Sequence, residues 1–126
     1  MSLLASSKIA AFSATTDPDR AKAFYGDQLG LRLVSDEQYA LVFDAGGTML
    51  RVQKVNAVSE AKYTTLGWNV PDIAATVDEL AKAGVKFEHY GMPGQDENGI
   101  WTPPGSSTKI AWFKDPDGNI LSLAQF

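Results

Sequence analysis

Apolar positions follow two rhythms along this chain, and the same succession of rhythms occurs twice. Helical spacing governs DPDRAKAFYGDQLG (17–30), where Ala21, Phe24, Tyr25 and Leu29 line one face. Asp17 suits the N-cap, Pro18 the first turn and Gly30 the C-terminal exit. The second helical segment is DIAATVDELAKAG (72–84), with Asp72 as N-cap, Ile73, Val77, Leu80 and Ala81 as the apolar stripe, and Gly84 as the stop. Strand-like runs surround both. KIAAFSATT and YTTLGWNVP precede them, and LGLRLV (29–34) and AGVKFEHY (83–90) follow. A hairpin closes each half: YALVFDAGGTMLRVQ (39–53) in the first, STKIAWFKDPDGNILSLAQF (107–126) in the second.

The order β-α-β-β-β therefore appears twice. Module one covers about 8–53, the polar stretch KVNAVSEAK (54–62) links, and module two covers about 63–126. Self-similarity of this kind is stronger evidence for a fold than any single motif. The fold class is α+β, and most connections are short enough for largely antiparallel sheets. One connection is long. GMPGQDENGIWTPPGSS is polar and rich in Gly and Pro, yet contains Ile100 and Trp101. Long loops in compact domains are usually functional or disordered. Trp101 either covers the edge of its own core or serves as a lid residue over a ligand.

Composition narrows the function classes. A chain of 126 residues makes one domain of ordinary size. Apolar residues are 44% and charged residues 21%, as in soluble globular proteins. The net charge of −4 and the lack of any Lys/Arg cluster argue against nucleic acid. No apolar run reaches the length of a membrane span. MSLLASSK is too short and too polar for a signal peptide, so the expected location is cytoplasmic. With no cysteine, disulfides, thiolate catalysis and Cys-based zinc sites are excluded.

The alternation Asp115, Asp117, Asn119 in FKDPDGNILSL begins like a calcium loop. Counting from Asp115, position 6 is Ile120 where a glycine is needed, and position 12 is Phe126 where a glutamate is needed. Flanking β-formers and the Pro/Gly pair make it a hairpin turn instead. His89, the single histidine, is read as structural or surface-exposed, and Asp96 and Glu97 as a solvated turn or as loop acids able to reach a ligand. No Ser-His-Asp set, phosphate loop or paired-carboxylate geometry is legible.

With FYGDQLGLRL closing the first helix and KDPDGNILSL at the end of the chain, this architecture resembles the vicinal oxygen chelate superfamily of glyoxalase I, bleomycin-resistance proteins and extradiol dioxygenases. QDENGIW, LGW and KIAWFKDPDGN look most similar to a bacterial glyoxalase-like subgroup. The resemblance implies two βαβββ modules with curved, mixed sheets around a cleft, one helix per module on the outside, and a homodimer. It also implies four metal-ligand positions, which fall here on Ala10, Arg51, Thr65 and Ser122. None is a metal ligand, and a guanidinium repels a cation. Residues 9–16, 48–53, 64–70 and 119–126 contain no His, Glu, Asp or Cys, so a slip in register changes nothing. Gln53 and Gln125 are the most ligand-like side chains present. The expectation is no metal and no cofactor.

On the parity that resemblance assigns, Ala10, Phe12, Ala14, Met49, Arg51 and Gln53 face the cleft from module one. Thr65, Gly67, Asn69, Ile120, Ser122 and Ala124 face it from module two, and Trp68 points to the helix. The candidate ligand-binding residues are Phe12, Arg51, Gln53, Thr65, Asn69, Trp101 and Ser122. Arg51 either grips a carboxylate or phosphate or pairs with a nearby acid. The expected function is metal-independent binding of a small molecule, as in sequestration of a drug-like or anionic metabolite. The alternative is a lyase or isomerase of the glyoxalase or dioxygenase type, working through an atypical metal site or loop acids; no catalytic residue is identified.

Overall fold

In a computed structural model of the protein, residues 3–126 are described. They form two compact units, one ending at Val58 and the other Ser59–Phe126.

The first unit contains β1 (Ala10–Thr15), α1 (Pro18–Ala21), β2 (Arg32–Asp36), β3 (Ala40–Ala45) and β4 (Thr48–Lys54). Its sheet has the order β1-β4-β3-β2, with β1 parallel to β4 and the other pairs antiparallel. The second unit contains β5 (Leu66–Asn69), α2 (Ile73–Lys82), β6 (Lys109–Lys114) and β7 (Ile120–Gln125). Here the order is β5-β7-β6, with β5 parallel to β7 and β6 antiparallel to it. In both units the first strand lies parallel to the last, so the sequence repeat is also a repeat of topology.

Both helices start where the capping chemistry places them. Asp17 is extended and accepts from the Arg20 N–H at 3.2 Å, and Asp72 does the same for Ala75 at 3.1 Å. Such caps satisfy N–H groups that the first turn leaves without partners. The first helix departs from expectation inside its body. After α1 it continues as a π-helix over Lys22–Gln28, with the Leu29 N–H reaching Phe24 O at 2.9 Å. It still buries Ala21, Phe24 and Tyr25. Tyr25 packs on Phe43 at 5.8 Å between centroids and meets the Ser13 hydroxyl at 3.3 Å. Leu41, Phe43, Leu50 and Val52 complete that core.

In the second unit the helix-facing side of the sheet holds Ala111, Phe113, Leu121 and Leu123, all buried. Trp68 stacks on Phe113 from the same side at 6.3 Å. The strand expected over 83–90 is reduced to one bridge, Phe87 to Phe113. The edge of β6 is shared, because Trp101 takes it at Ile110 through two backbone hydrogen bonds of 2.7 and 2.9 Å. The long loop is thus built rather than structureless.

Candidate functional site

Strand alternation decides which side chains leave the helix-covered faces. In the first unit Ala10, Phe12 and Ala14 share one face with Met49, Arg51 and Gln53, as the β1–β4 register sets them side by side. Phe12 is 52% exposed and Met49 48%. Phe12 stands opposite Arg51. The Arg51 guanidinium donates to Glu37 Oε1 at 3.1 Å, so it meets an acid of its own unit. Ser35 and Arg51, in that order, hold the Glu37 carboxyl below its usual range by hydrogen bonding. Gln53 donates to Ser13 O at 3.4 Å.

In the second unit Gly67, Ser122 and Trp112 form one row across the sheet, and Asn69, Ala124 and Ile110 form the next. Thr65 precedes β5 and donates its hydroxyl to Ile120 O at 3.2 Å. The row of Gly67 is tight. A Cβ built there would stand 2.6 Å from Ser122 Oγ, so a side chain at this position would displace that hydroxyl from where it lies. Gly67, Trp68, Asn69, Ser122, Ala124 and Phe126 line a shallow depression of about 270 Å³.

Trp101 belongs to an aromatic group at the far side of β6. Its ring lies 5.8 Å from Trp112, and Tyr90 meets Trp112 edge-on at 5.6 Å. Both indole N–H groups are occupied, Trp101 by Pro93 O at 3.0 Å and Trp112 by Thr64 Oγ1 at 3.2 Å. Burial raises the Tyr90 hydroxyl above its usual range, and the charge of Glu88 adds to it. Trp112 and Tyr90 are absent from the residues singled out by sequence. Trp112 hides there in an apolar strand, although its parity with Ser122 across the hairpin was available as a signal.

Of the two loop acids, Asp96 has its carboxylate engaged within the loop. Asp96 Oδ1 accepts from the Asn98 and Ile100 N–H groups, each at 2.9 Å. His89 is held between Phe87 O at 3.1 Å and Glu97 O at 2.9 Å. Gln95 ties Tyr90, Glu88 and Gly99 together through their backbones. Gln125 accepts from the Ile73 N–H at 2.9 Å and so caps α2.

The donor set for a divalent cation does not fit. Ala10, Arg51, Thr65 and Ser122 offer a methyl, a guanidinium and two hydroxyls, whereas hard or borderline cations take carboxylate, carbonyl or imidazole. Among the described residues, no three His, Cys, Asp or Glu side chains are grouped to hold a metal ion.

Three comparisons bear on kinship. A protein of Bacillus subtilis (strain 168), "Uncharacterized protein YraH", is 30% identical over 123 residues, covering 85% of this chain and 88% of that protein. The fosfomycin resistance protein FosX from Listeria monocytogenes shares the fold at a TM-score of 0.77 and 11% identity, covering 98% of this chain and 95% of that one. A putative glyoxalase family protein from Bacillus anthracis does so at 0.73 and 17% identity, covering 99% and 98%. Residues 9–123 match the family model of these folds, and the chain belongs to the Glyoxalase/Bleomycin resistance protein/Dioxygenase superfamily.

Proposed function

We propose that this protein binds a small organic molecule without the divalent metal used elsewhere in its superfamily. The observation that carries the reading is the side chains at the four ligand positions, Ala10, Arg51, Thr65 and Ser122, which cannot assemble a cation site. Candidate binding surface lies on the sheet face that each unit turns away from its helix: Phe12 and Gln53 in the first unit, and Asn69, Ser122 and Trp101 in the second, mix apolar surface with a few polar groups. Binding sites have that composition. Arg51 is the candidate for an anionic group, in competition with Glu37 at 3.1 Å. The working assembly in this reading is a homodimer. Asp96 gives little support to an enzyme, since its carboxylate is engaged by two backbone N–H groups.

The test is thermal unfolding of the purified protein against a broad library of aromatic, carboxylate and drug-like compounds. At least one chemical class should raise the midpoint dose-dependently, because a ligand that binds only the folded state stabilises it. A library with no thermal shift and no tryptophan quenching sinks the proposal.

A further inference from the structure

Resting on that reading, we infer that the second unit carries a stacking site for a neutral, planar aromatic ligand with a hydrogen-bonding edge. The floor is formed by the small residues Gly67 and Ser122 of one row and Ala124 of the next. In the same register Trp112 stands next to Ser122, so a large ring borders a floor with almost no side-chain height. The Ser122 hydroxyl occupies the space that a side chain on Gly67 would fill, 2.6 Å from where its Cβ would stand.

The chemistry of the ligand follows from what the aromatic residues leave available. Trp112 and Trp101 both donate their indole N–H inside the protein. Their recognition surface is therefore the π-face, which favours offset or edge-on stacking of another aromatic ring. Tyr90 and Trp101 flank Trp112 at 5.6 and 5.8 Å and hold its ring in one orientation, which lowers the ordering penalty of binding. Polar recognition comes from the Ser122 hydroxyl and the Asn69 amide, each able to donate or accept. The side chains that line the floor, Gly67, Asn69, Ser122 and Ala124, are all uncharged. Lys114 on the same face of the sheet pairs with Glu88 at 3.4 Å. A neutral ring with a lactam-like edge matches this surface better than an anion does.

The experiment compares three probes by tryptophan fluorescence and by the indole N–H resonances in NMR. Quinolin-2-one has the plane and the lactam edge, piperidin-2-one has the edge alone, and 2-naphthoate has the plane with a negative charge. Quinolin-2-one should quench fluorescence and shift the Trp112 resonance, and piperidin-2-one should do neither at the same concentration. Trp112→Leu should weaken quinolin-2-one at least about fivefold, from the size of aromatic pair energies. Trp112→Phe should restore most of the affinity, which separates stacking from a folding defect. Equal binding of quinolin-2-one to Trp112→Leu and to the unaltered protein overturns the inference. So does tighter binding of 2-naphthoate that is lost in Arg51→Gln; that result leaves the small-molecule reading standing with an anionic ligand on the first unit. Failure of all three probes while another class shifts the unfolding midpoint removes the stacking site alone, and a silent library removes both.

Discussion

Asp115 commits its carboxylate to a single turn. Oδ1 accepts from the Asp117 and Asn119 N–H groups at 3.0 and 2.9 Å, and Oδ2 accepts from the Asn119 amide at 2.7 Å. Asp115 and Asn119 are both buried, so the loss of these acceptors would leave donors without water. Asp115→Ala should therefore destabilise the protein by about 2–3 kcal/mol, measured by chemical denaturation. The same device recurs at Asp96, whose Oδ1 meets the N–H groups two and four residues on. Turn chemistry of this kind is legible in sequence, because Asp, Asn and Gly act on their immediate neighbours. The role of Gln125 is not legible. Its partner is the Ile73 N–H, 52 residues away, and nothing local in AQF announces a cap for α2.

At the scale of elements, the helices and hairpins follow from local signals, and the departures come from competition over shared edges. Phe87 and Trp101 both pair along β6, so the run AGVKFEHY, alternating enough for a strand, keeps one bridge. On the first sheet, β2 and β4 are fastened by charge. Asp36 pairs with Lys22 and, at 2.6 Å, with Lys54, while Glu37 pairs with Arg51. Hydrogen bonds from Lys22 and then Lys54 hold the Asp36 carboxyl below its usual value of 3.8. The sign follows directly. A carboxyl lowered in the folded state stabilises it fully above its unfolded pKa, and that contribution fades as pH falls below about 3.8 through the lowered value. The unfolding midpoint should drop on that acid limb, and Asp36→Asn should flatten the drop while lowering stability slightly at pH 7. Because the Asp36 carboxylate is exposed and both lysines are partly so, the difference between the two proteins should shrink at 1 M salt. Circular dichroism melts from pH 2.5 to 7 check both; parallel acid limbs in the two proteins would remove Asp36 from the account.

For the whole molecule, the duplicated βαβββ plan was readable because each helix carries its own cap and each hairpin its own turn. The aromatic group was not readable, since Tyr90, Trp101 and Trp112 meet only once Trp101 has paired with Ile110. The family positions make a different kind of statement, because their residue types set a limit on chemistry however the chain is arranged. A metal site of micromolar affinity would stabilise the folded state by about 4 kcal/mol at millimolar metal. In a chain of this size that raises the unfolding midpoint on the order of 10 °C. After dialysis against a chelator, zinc, nickel, manganese and iron(II) at 1 mM should each move the midpoint by less than about 1 °C, since Ala10, Arg51, Thr65 and Ser122 do not supply the donors that capture that energy. A positive control comes from the same sheet. Thr65→His with Ser122→Glu places an imidazole and a carboxylate as diagonal neighbours on one face, with the missing side chain of Gly67 leaving space beside the glutamate. The double variant should gain a metal-dependent rise, smaller than that of a full set because two ligands hold a cation less firmly than three or four. A rise of several degrees in the unaltered protein, with stoichiometric metal by elemental analysis, would show that residues outside the four positions build the site and would end the metal-independent reading.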